Sequence, residues 1–160
     1  MHAAVPVALL LLQAQLQAAA PRTPAEPAAY FQQDIRYTIA ARLDEPSGIL
    51  TASARLIYRN NSPDTLREIY FHLYLNAFRP HSLFADDELR QRIHRFSDLP
   101  DPYYAYERLH RVAIGGVPVA GDFPGAPDST LVRFALPAPL PPGDSLVADL
   151  AWEARLSAIP

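Results

Sequence analysis

Five histidines, His2, His72, His81, His94 and His110, are the first candidates for chemistry. A zinc site built without cysteine needs His and carboxylates at ligand spacing, such as two His four apart on one helical face with a Glu between them. No two of these His are three to five residues apart, so no metal site is written locally. His81, His94 and Glu88 would have to be assembled from a distance, and surface histidines on an arginine-rich loop are the plainer reading. Imidazole as a group serves as a general base near neutral pH, which draws attention to His72 between Tyr70 and Tyr74; its place in an alternating run reads instead as a half-buried His hydrogen-bonded within a sheet. Asp86-Asp87-Glu88 offers oxygen ligands for calcium, and is also what a helix dipole favours in its first turn. No G-x-S-x-G surrounds a serine, and Ser129 reads as a turn residue opening a strand. No glycine loop cradles phosphate. Tyr103, Tyr104 and Tyr106 form a cluster able to stack on a sugar or a neighbouring domain, or to cover a sheet edge. The residues themselves assign no catalytic, cofactor-binding or metal-ligating side chain.

The elements that would position these groups follow from composition and punctuation. A chain of 160 residues fits one domain. Leu, Ile, Val and Phe make up about a quarter of it, enough for a packed core. Cysteine is absent, which excludes disulfides, thiolate zinc sites and thiol nucleophiles. The basic side chains are all Arg, and a net charge of −3 supplies no field for gathering phosphate, which argues against nucleic acid as a partner.

Residues 1–20 combine an apolar run from Ala3 to Leu12 with Ala18-Ala19-Ala20, the pattern of a secretory signal peptide and its cleavage site. The run is too short to span a bilayer, which takes about 20 apolar residues. The chain is therefore expected to be exported, to the periplasm or beyond. Residues 21–33 open with PRTPAEP, a stiff extended linker, and residues 34–160 are read as one β-domain.

Pro numbers 17 and Gly 6. Proline breaks the ladder of a central strand, so proline-free windows with period-two alternation mark the strands. Asp34–Leu43 places Ile35, Tyr37, Ile39, Ala41 and Leu43 on one face, and Leu50–Asn60 answers it across a Pro-Ser-Gly turn. Leu66–Leu75 carries Ile69, Phe71, Leu73 and Leu75 on one face and Tyr70, His72 and Tyr74 on the other, the pattern of a strand covered on both sides. Arg108–Ile114 and Val117–Val119 flank Gly115-Gly116, a two-residue hairpin signal. Thr130–Leu136 follows, then a loop Pro137–Gly143 with four prolines, then a strand from Leu146 to Leu156 that buries Trp152. The one helix expected is Asp86–Arg95, with Leu89 and Ile93 four apart and Glu88 four before Arg92. The fold class is all-β, an antiparallel sandwich or saddle of six to seven or more strands with one short surface helix.

The strings YFQQDIRYTIAARL from Tyr30, Leu50-Thr51-Ala52-Ser53-Ala54, Tyr58 to Leu66, and Ile69-Tyr70-Phe71-His72-Leu73-Tyr74-Leu75-Asn76-Ala77-Phe78 are specific in a way that alternation is not. With Gly115-Gly116-Val117-Pro118-Val119 and the approach Pro142 to Leu146 into the Trp152 strand, the chain resembles the N-terminal β-domain of bacterial zinc metallopeptidases of the aminopeptidase N family. The resemblance implies a β-saddle packed against a thermolysin-like catalytic domain whose H-E-x-x-H and more distant Glu bind zinc. Neither that motif nor the family's motif for the substrate amine has a counterpart in these residues, so the resemblance carries over no site residue. It implies that zinc and the peptide substrate belong to a catalytic part following Pro160, and that this chain alone is inactive. The rival expectations are a standalone secreted β-sandwich that binds through Tyr103, Tyr104 and Tyr106, and a structural or adhesion module followed by further β-repeats.

Overall fold

A computed structural model describes residues 30–157. The signal-peptide reading and all but the end of the linker lie outside them. The fold is that of the unit from Phe31 onward.

The chain runs through β1 (Asp34–Asp44), β2 (Ile49–Arg59), β3 (Leu66–His72), a 3₁₀ turn (Tyr74–Phe78), α1 (Leu83–Arg90), β4 (Tyr106–Ile114), β5 (Val117–Pro118), β6 (Gly121–Asp122), β7 (Leu131–Leu140) and β8 (Ser145–Arg155). These strands form two antiparallel sheets, a five-stranded one ordered β1-β2-β8-β4-β5 and a three-stranded one ordered β3-β7-β6. The all-β architecture with a single short helix is the one the alternation predicts.

Register explains which side chains meet. β1 and β2 pair without interruption, setting Tyr37 opposite Leu56 and Ile39 opposite Ala54. β2 in turn sets Leu56 opposite Ala148 and Ala54 opposite Leu150 of β8, and β4 adds Val112 beside Leu150 and Ile114 beside Ala148. Because side chains alternate along each strand, these rows lie on one face. Against them the small sheet presses Ile69, Val132 and Phe134, joined by Leu73 just after β3, closing the core, with Trp152 packed at its margin. No β1 residue enters that core. Three strands at about 4.8 Å spacing cannot cover five, and among the described residues the uncovered flank is β1.

The termini of several elements differ from the periodicity reading. α1 begins at Leu83, not Asp86, because the Ser82 hydroxyl accepts a hydrogen bond from the Ala85 N–H at 3.0 Å and caps the helix. It ends before Arg92, whose φ of 62° no helix continues. Its buried positions are Ala85 and Glu88, while Leu89 and Ile93 stay exposed. Under the excursion from Arg79 to Ala105, Phe78, Phe84 and Phe96 form a satellite cluster with ring centroids 5.3 to 5.8 Å apart. β3 stops at His72, and the predicted continuation to Leu75 turns into the 3₁₀ segment, tied by the Asn76 N–H to Leu73 O at 3.0 Å.

The proline-rich loop is also shorter than expected, since β7 continues to Leu140. Between Glu68 opposite Ala135 and Leu66 opposite Leu140 the register breaks, so Pro137 and Pro139 sit in an irregular stretch where their missing N–H groups interrupt no regular ladder. The hairpin between β4 and β5 forms as predicted, with Gly115 and Gly116 at φ 59° and 81° and Ile114 opposite Val117.

Candidate functional site

The histidines and carboxylates singled out by type do not converge. Among the described residues no three His, Asp or Glu side chains form a group able to hold a metal ion. Glu88 is nearly buried and ion-paired with Arg95, Asp87 is held by Arg90 at 3.1 Å and Gln91 at 3.0 Å, and His94 meets Asp98 at 3.0 Å. Two of the three acids, Asp87 and Glu88, are thus committed to local pairing within and just after the helix. His2 lies outside the described residues. Ser129 precedes β7 and gives its carbonyl to the Asn76 amide at 2.9 Å.

His72 is not the half-buried, hydrogen-bonded group that the alternation suggested. It is exposed at the end of β3, its ring stacked on Tyr74 with centroids 4.8 Å apart and planes at 1°. The outer face of the small sheet around it is polar. The Tyr70 hydroxyl donates to Glu68 at 2.6 Å, and Arg133 makes a two-pronged pair with Asp122 at 3.0 and 2.9 Å. Among the described residues nothing covers this face of β3, the one that the alternation reading expects to be covered; it carries a hydrogen-bonded charged network.

Tyr103, Tyr104 and Tyr106 do not share a contact patch. Tyr103 is 51% exposed, whereas Tyr106 is 5% exposed. The difference comes from Arg155, whose side chain is nearly buried, lies 5.1 Å from the Tyr104 ring and 4.7 Å from the Tyr106 ring, and donates to the Tyr104 carbonyl at 3.1 Å and to Asp101 at 2.8 Å. This stacking closes the return of the long excursion onto the end of β8. Burial and nearby Glu153 raise the Tyr106 hydroxyl above the usual phenol range.

Two of the open grooves among the described residues bear on a site. One, of about 610 Å³, lies between β4 and the β6–β7 side and is lined by Arg79, Glu107, Arg111, Phe123 and Phe134. Asn76 spans it, its carboxamide oxygen accepting the Glu107 N–H at 2.9 Å. Burial raises the Glu107 carboxyl above the ordinary glutamate range. The second groove, of about 670 Å³, runs between β1 and β3 and is lined by Ile35, Tyr37, Leu56, Tyr58, Leu66 and Ile69 among others. Burial pushes the hydroxyls of Tyr37 and Tyr58 up, so both remain protonated donors at neutral pH.

The second groove continues into the uncovered flank. Ile35, Tyr37, Ile39 and Leu43 stand in one row, each about half exposed, with Ile39 at 57%. Contiguous exposed apolar surface of this kind is characteristic of contact surfaces. The alternation showed which β1 residues share a face; that the face lacks a cover depends on the width of the other sheet, which alternation does not report. Compared with protein-family models and with curated protein sequences, the chain finds no match.

Proposed function

We propose that this chain is the non-catalytic N-terminal β-domain of an exported, zinc-dependent aminopeptidase-like metallopeptidase, where it packs against the catalytic domain and walls its cleft. The observation that carries the reading is the apolar row Ile35, Tyr37, Ile39 and Leu43, left outside the core with a groove beside it. A neighbouring domain buries such a row at a gain of roughly 25 cal/mol per Å² of apolar surface. The reading also rests on the resemblance of the strings from Tyr30 to Phe78 to that domain. In this role the chain supplies shape and support, while zinc and the water-activating carboxylate belong to the catalytic domain.

The direct functional test is aminoacyl-arylamide hydrolysis by purified residues 21–160 with added zinc. No turnover above background is expected. Turnover that a chelator abolishes and zinc restores overturns the proposal.

A further inference from the structure

The two sheets have four edges among the described residues, and three are blunted. β5 has two residues and contains Pro118, β6 has two residues, and β3 has seven residues with a register break. β1 is different. It has eleven residues, all exposed, no proline, and an unbroken register with β2. No described strand pairs with its free side. Short strands, prolines and bulges are among the devices that keep sheet edges from pairing, and β1 has none of these; it does carry the charges Asp34, Arg36, Arg42 and Asp44, which any pairing must match.

We propose that the free edge of β1 pairs antiparallel with β1 of a second copy of this chain, centred on Thr38. The charges on its outward face select this register. An axis at Ile39 sets Asp34 against the partner's Asp44 and Arg36 against the partner's Arg42, two like-charge pairs, each occurring twice. An axis at Ala40 relies on Asp44, whose carboxylate already accepts hydrogen bonds from the Ser47 N–H and hydroxyl, and it runs Ile35 against the partner's turn residue Glu45. An axis at Thr38 sets Asp34 against the partner's Arg42 on both sides of the axis, Tyr37 against the partner's Ile39, and Thr38 against the partner's Thr38. Asp34 and Arg42 make no ion pair among the described residues and are free to do so. An axis falling between two residues would instead set odd positions against even ones and turn one apolar row to the opposite side of the partner's. The Thr38 axis keeps both apolar rows on one face, so two five-stranded sheets become one of ten strands. The pairing uses the backbone edge and leaves the apolar face open, so it stands or falls separately from the domain packing proposed above.

The chain has no cysteine, so single-cysteine variants of the full chain read the register directly. Under air oxidation, Thr38→Cys is expected to give a disulfide-linked dimer. Ile39→Cys and Ala40→Cys are expected to stay monomeric on a non-reducing gel, because only residues facing themselves across the axis come within the ~7 Å Cα reach of a disulfide. By sedimentation, the unmodified chain is expected at twice its monomer mass. Arg42→Asp should weaken the dimer about tenfold, and Asp34→Arg combined with Arg42→Asp should restore it. Arg42→Asp is exposed and serves independently of whether any cysteine variant folds. A chain that stays monomeric, a cross-link formed only through residue 39 or 40, or an Arg42→Asp change that tightens the dimer overturns the proposal.

Discussion

The Asn60 side-chain amide donates to the Leu140 carbonyl at 3.0 Å, joining the end of β2 in the large sheet to the end of β7 in the small one. Asn60 is 0% exposed and uses its other groups too. It donates to the Asp64 carbonyl at 2.7 Å, accepts from the Ser62 N–H and hydroxyl at 3.0 and 2.6 Å, and exchanges backbone bonds with Gly143 and Asp144. One buried amide thereby fixes two connections.

Replacing Asn60 by Ala leaves buried carbonyl and N–H groups without partners, at about 1–3 kcal/mol for each group left unsatisfied. Asn60→Ala is expected to lose ~2–4 kcal/mol of stability, read as a lower urea midpoint at unchanged slope. Asn60→Asp keeps the acceptor for Ser62 but turns a second acceptor toward two carbonyls, and should be no more stable. A midpoint within error of the parent contradicts the clamp.

Gly121 lies where a Cβ would come within 2.6 Å of Val132 Cγ2 and 2.8 Å of Phe134 Cε1. Both neighbours are buried and cannot give way. Gly121→Ala should therefore cost about 1–3 kcal/mol through overpacking. Gly125→Ala, whose nearest atom would be the Asp128 carbonyl oxygen at 3.6 Å, should cost far less. Thermal melts of the two variants test the contrast.

Burial raises the Glu107 carboxyl. A raised folded-state value means that Glu107 favours the fold below its unfolded value of about 4.3, and that this contribution is lost as pH rises through the folded value. Its charge therefore weakens the fold at neutral pH. Glu107→Gln should stabilise the chain at pH 7 by less than about 1 kcal/mol, since solvent screens a half-buried group. The difference should shrink on acidification below about pH 4.3. A gain that grows on acidification reverses the expected sign.

Secretion should remove residues 1–20. N-terminal sequencing of the protein recovered outside the cytoplasm is expected to begin at Pro21, the residue after Ala18-Ala19-Ala20. Recovery only of chains starting at Met1 contradicts the export reading.

The strands were legible because side-chain alternation and burial have the same period. Ile35 to Leu43, Leu50 to Tyr58 and Leu146 to Ala154 fall on the faces that alternation assigns. The helix start was hidden because Ser82, a single capping hydroxyl, outweighs the spacing of Leu89 and Ile93. Asn60, Asn76 and Arg155, which hold distant segments together, read locally as turn or strand residues, since their partners lie far away in the chain. For Tyr103, Tyr104 and Tyr106, clustering along the chain suggested one patch, and Arg155 covers two of the three rings. The β1 row was visible as a face but not as a surface, because the count of strands opposite it decides its exposure.

Reading the coding frame through and beyond Pro160 tests most directly whether the chain supports a catalytic domain. The proposal predicts a continuous frame encoding H-E-x-x-H and a more distant Glu, the zinc ligands and water-activating carboxylate of the catalytic part. A stop codon directly after Pro160, or a run of further β-repeats in place of that motif, contradicts it.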